Sequence, residues 1–254
     1  MNSYQYLAKV YDQWEIMMGA SFSMLMFPRL KEALEKINRS IRSMGDLACG
    51  TGTLAIAMAK TGVQVLGVDH SEGMLSQARA KAKKAGLSIT FLQQDMRTFQ
   101  LPEKVDLITS FYDSLNHLGT LEGLQQTFDA VANNLNPKGL FIFDVNNRNC
   151  FEKLWQGTSV FHHEEFTLIL ENTFNEKSLK AQSLTTLFHR RKEGIFFEKF
   201  TELCEERCYS DEEIYTALSS VGFQVLTKED FNPFREITSI GPIKGFWVCE
   251  KGGP

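Results

Sequence analysis

Strands and helices alternate regularly between residues 43 and 146, and this alternation leaves few folds open to the chain. Short runs rich in Val, Ile, Leu and Phe predict five strands, which end at Leu47, Asp69, Asp95, Phe111 and Asn146. Helical segments are predicted to begin at Thr53, at Ser71 and at about Leu121. Strands of this composition, joined by helices, are typical of a parallel sheet covered on both faces. The sequence therefore predicts an α/β fold with a doubly wound, mostly parallel sheet.

Two helices are predicted before this alternation. Apolar residues recur at helical spacing between Leu7 and Met18, which predicts one apolar stripe on a first helix. A second helical segment is predicted from Phe22 to about Ile37. The part of the chain that precedes the first strand is therefore expected to be helical.

The composition of the chain changes after the fifth strand. Residues 158–208 mix polar and aromatic side chains, and the sequences "NEKS" and "RKEG" are typical of hairpin turns. We expect a three-stranded antiparallel meander in this region. Ser210 and Glu213 then have the spacing of a capping box, which predicts a last helix that ends at Gly222. Two closing strands are predicted at "FQVLTK" and "GFWVCE".

Charge and cysteine content exclude several functional classes. The chain has 27 Lys and Arg against 31 Asp and Glu, a formal net charge of −4, so we expect no nucleic-acid partner. Its 5 cysteines are odd in number and scattered, which favours neither a disulfide framework nor a zinc site. A secretory signal and an apolar stretch of about 20 residues are both missing. We therefore expect a cytoplasmic protein, a monomer or homodimer, that binds neither a membrane nor a metal.

A loop of small residues, "GDLACGTGTLA", joins the first predicted strand to the helix that follows it. In open α/β sheets, ligands bind outside the carboxyl ends of the strands. Gly50 and Gly52 would let a ligand approach the backbone, and the free N–H groups of the helix favour an anionic group. A turn that needs glycine for its backbone dihedrals would show the same pattern. The loop alone therefore leaves the ligand undetermined.

Two acidic residues narrow the choice of ligand. Asp69 ends the second strand, 19 positions after Gly50, where a carboxylate can accept hydrogen bonds from two ribose hydroxyls. Asp69 could bind the ribose of a nicotinamide cofactor equally well. Asp95 ends the third strand, where a carboxylate can accept from the amino group of an adenine. The pair predicts a ligand that contains adenosine.

Six stretches, in this order and spacing, resemble the class I S-adenosylmethionine-dependent methyltransferases. They are "YDQW", "GDLACGTGTLA", "VLGVDHSEGML", "LQQDM", "VDLITSFYDSLNHL" and "GLFIFDVNN", which span roughly Tyr11 to Asn146. The resemblance implies S-adenosyl-L-methionine as the cofactor. It also implies a Rossmann-like sheet of seven strands whose last strand is antiparallel, with a small antiparallel β lobe inserted after the fifth strand.

The resemblance also assigns roles to regions and residues. Residues 1–40 would form a helical lid over the cofactor site, residues 41–150 and 209–254 the core, and residues 151–208 a substrate lobe. Many members carry glycine at the position of Ala48, where alanine still permits close approach of the cofactor if its φ is negative. The residues that the resemblance places at the cofactor are Tyr11, Asp46, Ala48, Cys49, Gly50, Gly52, Asp69, His70, Met74, Asp95, Met96, Phe111 and Tyr112.

Methyl transfer from a sulfonium is an in-line displacement, so the protein mainly has to hold a nucleophile in line with the reactive carbon. A base helps where the nucleophile carries a proton. His117 and Asp113 follow the fourth strand and are the candidate catalytic residues. The candidates for binding the acceptor are Asn116, Asp144, Asn146, Trp155 and His162.

Three functions remain in competition. The first is methyl transfer to a small molecule, because the basic surface of a nucleic-acid enzyme is missing from the composition. The second is a module that binds S-adenosylmethionine without catalysis. The third is an NAD(P)-dependent oxidoreductase, which is less favoured because Ala55 stands where the third glycine of that fingerprint is expected. The acceptor atom is left open.

Overall fold

The computed structural model describes residues 4–19, 21–191, 196–234 and 238–252, and all structural statements refer to these residues. The α-helices are α1 (Tyr11–Met17), α2 (Phe22–Lys36), α3 (Thr53–Ala59), α4 (Glu72–Lys84), α5 (Leu121–Asn134), α6 (Arg148–Leu154) and α7 (Asp211–Ser220). Short 3-10 turns span Leu7–Lys9, Ser114–Leu118 and Thr238–Ile240. The strands are β1 (Ser43–Leu47), β2 (Gln64–Asp69), β3 (Thr90–Gln93), β4 (Val105–Ser110), β5 (Leu135–Asn146), β6 (Gly157–His162), β7 (Phe166–Asn175), β8 (Lys180–Arg190), β9 (Phe197–Arg207), β10 (Phe223–Phe231) and β11 (Lys244–Lys251).

Seven of these strands form one sheet in the order β10-β11-β5-β4-β1-β2-β3. Strands β1 to β5 pair in parallel, whereas β11 lies antiparallel between β5 and β10. The strand order reverses beside β1, as in a doubly wound sheet. The predicted Rossmann-like sheet with an antiparallel last strand is therefore confirmed.

Helices cover both faces of this sheet with separate apolar cores. On one face, Phe128 of α5 and Leu218 of α7 pack against Phe141 of β5. On the other face, Leu30 of α2 and Leu75 of α4 belong to the second core. Burying one such side chain contributes roughly 1.5–3 kcal/mol, so each face has several independent contributions to stability. This rigid sheet fixes where the carboxyl ends of β1, β2 and β4 lie.

The added β lobe has four strands, and the prediction of three was wrong. The lobe is antiparallel throughout, in the order β6-β7-β8-β9. Most β6 residues are exposed, so the strand lacks the apolar alternation that identifies a strand in a sequence. The turn predicted at "NEKS" follows β7, where the Asn175 carboxamide oxygen accepts from the next turn residues. The turn predicted at "RKEG" falls largely on residues 192–195, outside the described residues.

The amino-terminal part of the chain differs from its prediction. A 3-10 turn precedes α1, with Val10 between them at φ −123°, so the predicted single helix is interrupted. Leu7 and Val10 are buried, but Met17 and Met18 at the end of the predicted stripe are exposed. The remaining boundaries agree within a few residues, and the Ser210 capping box is present. The fifth strand begins earlier than expected, at Leu135, directly after α5.

Residues 4–10, which we call the N-terminal segment, run from α4 to the β lobe. The Gly73 N–H on α4 donates to the Gln5 side chain, and the Tyr6 N–H donates to Glu202 on β9. Helix α1 is held next to the glycine loop because Asp12 accepts from both Lys81 and the Thr51 hydroxyl, at 2.6 and 2.5 Å. The segment thus lies across the carboxyl edge of the sheet. No helix in the described part of the chain has the length and apolar character needed to cross a membrane.

Candidate functional site

A cavity of about 790 Å³ lies at the carboxyl ends of β1, β2 and β4, within the range of about 300–1,000 Å³ typical of small-molecule sites. The N-terminal segment and β9 close it on the other side. Twelve of the thirteen predicted cofactor residues line it: Tyr11, Asp46, Ala48, Cys49, Gly50, Asp69, His70, Met74, Asp95, Met96, Phe111 and Tyr112. The strand ends therefore meet at one site, as expected for a parallel sheet.

Gly50 and Gly52 of the glycine loop are needed for different structural reasons. Gly50 has φ +54°, and a Cβ there would meet no atom within 4 Å, so its backbone lies open beside the cavity. A Cβ on Gly52 would lie 2.9 Å from the Cβ of Ala78 on α4. Gly52 is therefore required for helix packing and does not line the cavity. It is the predicted cofactor residue that the structure places elsewhere.

Ala48 has φ +57°, so the condition of a negative φ, under which alanine would be tolerated easily, is not met. The loop turns sharply between β1 and α3, and the chain enters the left-handed region that normally favours glycine. Non-glycine residues pay about 1–2 kcal/mol in this conformation. Ala48 thus stores strain in the loop that lines the cavity.

Replacing Ala48 with glycine should relieve this strain. We expect Ala48→Gly to raise the free energy of unfolding by about 0.5–1 kcal/mol, because the entropy that glycine gains in the unfolded chain offsets part of the gain. Urea unfolding followed by circular dichroism measures it. Ala55→Gly, inside α3 where the backbone is helical, is the control and should lower stability by about 1 kcal/mol. A destabilised Ala48→Gly protein would contradict the strain argument.

The Asp69 carboxylate organises the cavity wall at the end of β2. It accepts the Gly50 N–H and the Ser71 N–H, each at 2.8 Å, so it joins the glycine loop to the start of α4. Burial raises the pKa of Asp69, against the effect of these N–H donors. Each carboxylate oxygen keeps a lone pair for a further donor. Asp69 can therefore support the loop and accept hydrogen bonds from a diol at the same time.

The Asp95 carboxylate lines the same cavity two residues after β3. Its oxygens accept from the Arg97 guanidinium and from the Arg97 backbone N–H, and this pairing holds the pKa of Asp95 below its usual value. Asp69 and Asp95 thus share one cavity.

At the end of β1, Asp46 accepts from the Thr109 hydroxyl at 2.9 Å, and burial raises its pKa to about 7.

His117 stands at the other end of the cavity, in the 3-10 turn after β4. Its Nδ1 lies 3.3 Å from the carbonyl oxygen of Glu205 on β9. A carbonyl only accepts, so Nδ1 carries the proton, and the lone pair of Nε2 accepts from the Tyr4 hydroxyl at 3.1 Å. Burial lowers the pKa of His117, although the nearby Asp113 opposes this. The imidazole is therefore a neutral base with its acceptor atom at the cavity.

Lys244 of β11 holds the turn that carries these residues. Its ammonium group, 3% exposed, lies 2.7 Å from Asp113 and 2.9 Å from Asp144. Asp144 also accepts the backbone N–H groups of Tyr112 and Asp113, which both have positive φ, 63° and 55°. Two such residues cost of order 1–3 kcal/mol each unless the surroundings enforce them. The ion pair therefore fixes the turn between β4 and His117.

The structure does not bring the five predicted acceptor-binding residues to the cavity wall. Asn116 and Asn146 are buried and hydrogen-bonded to each other, and Asp144 is bound by Lys244 and by the strained turn. Trp155 packs on Phe151 after α6, and the exposed His162 bonds Thr167 within the β lobe. Asp144 and Asn146 are two residues apart on β5, so they point to the same face, away from the cavity. Asn116 lies in the 3-10 turn, where its side chain bonds Asn146. Asp113 likewise faces Lys244, whereas His117 lines the cavity.

Sequence reasoning missed several residues at this end of the cavity. Tyr4, Leu118, Leu203 and Glu205 line it, and Lys244 and Glu206 lie directly behind it. Tyr4 had an available signal, because it precedes the "YD" stretch that was already interpreted as a lid. For β9 and β11 residues the sequence holds no comparable signal, since the pairing of these strands decides which side chains reach the turn after β4.

Comparisons with known proteins agree with this geometry. The methyltransferase domain family matches residues 46–139. The chain is 32% identical over 227 residues to YqeM of Bacillus subtilis (strain 168), a protein named as a methyltransferase, and the match covers 87% of each chain. A solved S-adenosylmethionine-dependent methyltransferase from Clostridium acetobutylicum ATCC 824 has a TM-score of 0.83 at 27% identity, covering 99% of this chain and 100% of its own.

A third relative has a named substrate. The dTDP-3-amino-3,4,6-trideoxy-alpha-D-glucopyranose N,N-dimethyltransferase of Streptomyces venezuelae is 34% identical over 102 residues, which is 40% of this chain and 41% of its own. This match is too short to include both the cofactor half and the β lobe.

Proposed function

This chain belongs to the class I S-adenosylmethionine-dependent methyltransferases, and we propose that it methylates an amine nitrogen of a small-molecule acceptor that binds beside His117. Family membership establishes the enzyme class and the cofactor. The acceptor is the new element of the proposal. It rests on one observation, the neutral imidazole at the cavity wall with a net negative cluster behind it.

The cavity fits the cofactor on its own features. The Gly50 backbone is open where a Cβ would meet nothing, and the Asp69 and Asp95 carboxylates lie at neighbouring strand ends. Asp69 would accept from the ribose hydroxyls and Asp95 from the adenine amino group, with the Met96 N–H near the ring. Asp46, Phe111 and Tyr112 would hold the methionine end. When bound, the cofactor supplies a methyl group on a positively charged sulfur, which is already activated for displacement.

His117 supports a proton-bearing nucleophile. Its Nε2 lone pair points to the Tyr4 hydroxyl at the cavity, so the N–H of an acceptor that replaces Tyr4 would find the same acceptor atom. A base in this position removes the proton that the nucleophile loses on methylation. The enclosing N-terminal segment would exclude water. Such positioning is worth roughly 7–11 kcal/mol when it is complete.

An amine is favoured over a hydroxyl by the local charge. Asp113 and Asp144 share one cation, Lys244, which leaves one negative charge beside His117. A net negative surrounding attracts an ammonium group and disfavours a phenolate or carboxylate. The aminosugar N,N-dimethyltransferase from Streptomyces venezuelae acts, by its name, on such a group. The N-terminal region up to residue 40 would serve as the lid, and residues 151–208 as the substrate lobe.

The proposal is tested with acceptors that differ in one atom. Transfer of a labelled methyl group is measured for matched pairs that carry an amine or a hydroxyl on the same scaffold, with thiols and carboxylates for comparison. We expect the amine member to react at least ten-fold faster. Faster reaction of the hydroxyl members, or labelling restricted to RNA or protein, would contradict it. Cofactor binding in the same samples, measured by calorimetry, separates a wrong acceptor class from an inactive preparation.

A further inference from the structure

A buried group of ionisable side chains extends from His117 into the interior, on residues that do not line the cavity. Glu206 of β9 is 2% exposed, and its Oε1 lies 3.4 Å from His117 Nε2. Its carboxyl group is hydrogen-bonded to the carboxyl group of Asp113, and its Oε2 accepts from the Asn146 carboxamide. Asp113 in turn binds the Lys244 ammonium at 2.7 Å. The contacts form a continuous row from Lys244 through Asp113 and Glu206 to His117.

Two carboxyl groups that share a hydrogen bond must hold a proton between them, because two carboxylates only accept. The neighbours decide which residue carries it. Lys244 lies against Asp113 and favours its charged form, whereas no cation among the described residues is in contact with Glu206 while His117 is neutral. The pKa of Asp113 is accordingly lowered by Lys244, and burial raises that of Glu206. The proton therefore belongs to Glu206.

The total charge of the row follows from this assignment. Lys244 contributes one positive charge, and Asp113 and Asp144 contribute two negative charges. Burial raises the pKa of Asp144, but its oxygens accept from Lys244 and from two backbone N–H groups, which stabilise the carboxylate. Glu206 and His117 are neutral, and Tyr4 is a neutral phenol whose pKa burial raises further. These are the ionisable groups that face His117 from the N-terminal segment, the turn after β4, β9 and β11, with Glu205 at the cavity wall. The row therefore carries one uncompensated negative charge.

We propose that Glu206 is a permanently protonated acid that, with Asp113 and Lys244, keeps one net negative charge behind His117 and so makes this histidine the acceptor of the proton released by methylation. The inference deepens the proposed function and rests on it. Glu206 and Lys244 touch neither reacting group, so they are positioning residues.

The proton balance of the reaction agrees with this arrangement. The acceptor attacks as the neutral amine, after its ammonium form has given one proton to the solvent. The nitrogen–carbon bond forms as the carbon–sulfur bond breaks, and the bonding pair stays on sulfur. The methylated nitrogen then gives its proton to His117 Nε2. The positive charge that is lost at the sulfur thus reappears on the imidazolium, next to Asp113, and the cavity keeps its total charge. A neutral row would leave that imidazolium uncompensated in a buried place.

A divalent cation is the other ligand that these side chains could accept, since potential ligand atoms of Asp113, His117 and Glu206 lie within 4.8 Å of one another. The Lys244 ammonium favours a proton over a cation at this place, because it already binds Asp113 and would repel a second cation there.

The protonation state of Glu206 is measured directly by nuclear magnetic resonance. Protein labelled with carbon-13 at the glutamate side-chain carboxyl is titrated in the presence of EDTA, and Glu206→Gln assigns the signal. We expect the Glu206 shift of a protonated acid from pH 6 to pH 8. A carboxylate shift at pH 7 would overturn the proposal. This readout needs no acceptor, so it stands apart from any failure of the proposed function.

The charge of the row is tested through the pKa of His117, followed by the carbon-13 signal of the imidazole and assigned with His117→Gln. Asp113→Asn should lower this pKa by about one unit, because it removes the negative charge. Glu206→Gln should shift it by less than 0.3 unit, since the carboxamide also donates to Asp113 and is also neutral. Equal shifts in the two variants would overturn the assignment of charge to Asp113.

The kinetic consequence is a displaced pH profile. Asp113→Asn should move the acidic limb of kcat about one pH unit lower and reduce its plateau about ten-fold, because His117 becomes a weaker base. Asp230→Asn is the matched control, since Asp230 also pairs with a lysine, Lys228 at 2.8 Å, but at the far edge of the sheet. An unmoved limb in Asp113→Asn, or activity that EDTA abolishes and Mn²⁺ restores, would contradict the proposal. If Asp113→Asn fails to fold, the titration of Glu206 in the parent protein still tests whether this residue is protonated.

Discussion

Asp69→Ala should weaken the binding of S-adenosylmethionine by at least about 100-fold. The variant loses the carboxylate that would accept hydrogen bonds from two ribose hydroxyls, and hydrogen bonds to charged groups contribute about 1.5–3 kcal/mol each. It also frees the Gly50 and Ser71 N–H groups that the carboxylate holds at 2.8 Å, so the glycine loop loses its connection to α4. Isothermal titration calorimetry with S-adenosylmethionine and with its demethylated product measures the effect.

The control for Asp69→Ala is a carboxylate that also accepts two backbone N–H groups but lies at the opposite edge of the sheet. Asp106 at the start of β4 accepts the backbone N–H groups of Arg42 and Ser43 and the Asn136 carboxamide, far from the cavity. Asp106→Ala should lower stability and leave the affinity within about two-fold. A dissociation constant for Asp69→Ala within three-fold of the parent would remove the ribose contact from the proposal.

The cofactor half of the site was predictable because it depends on local features of parallel strands. Each of β1, β2 and β4 ends in a turn at the same edge of the sheet, so the residues after these strands must converge whatever the loops do. This is why Asp69 and Asp95 meet at one cavity, although 26 positions separate them in the sequence. The backbone conformation within the loop was harder to predict, because nothing in the side chain of Ala48 indicates its positive φ.

The acceptor half was predictable only in part, because it is built by pairing over long sequence distances. His117 lies in the 3-10 turn after β4 and was predicted as a candidate catalytic residue. Lys244 reaches the same place only because β11 pairs antiparallel with β5, with Lys244 opposite Asn146. Nothing near Lys244 in the sequence distinguishes it from an exposed lysine. Glu206 depends similarly on where β9 lies beside the 3-10 turn. The missed strand β6 has a different origin: it pairs with β7, the next strand along the chain, but its exposed residues follow no buried pattern.

Lys244→Met should destabilise the protein by about 3–5 kcal/mol, the usual cost of removing one partner from a buried ion pair. The ammonium group is 3% exposed and binds Asp113 and Asp144, whose side chains are 15% and 0% exposed. Without the ammonium group, the Asp113 and Asp144 carboxylates remain in the interior without their cation. The Tyr112–Asp113 turn then loses the ion pair that fixes it. Methionine fills a similar volume, so the packing beside Phe22 and Tyr112 is kept. Chemical unfolding in urea measures the change.

The pH dependence of this loss separates the ionic effect from a packing effect. In the parent protein Lys244 keeps the pKa of Asp113 low, so that carboxylate stabilises the fold above its unfolded pKa near 4, and the contribution is lost as the pH falls. In Lys244→Met the stranded carboxyl groups take up protons more readily in the folded state. The deficit relative to the parent should therefore shrink between pH 8 and pH 5. A packing defect would cost the same at both values.

Lys228→Met supplies the matched comparison. Lys228 also binds two carboxylates, Asp211 at 2.7 Å and Asp230 at 2.8 Å, but these partners are 52% and 45% exposed. Exposed pairs contribute about 0–1 kcal/mol, so this variant should stay within 1 kcal/mol of the parent. Adding Asp113→Asn to Lys244→Met should restore part of the lost stability, because one of the two uncompensated charges is removed. Equal losses in the two lysine variants, or no recovery in the double variant, would mean that the buried charges do not hold this turn.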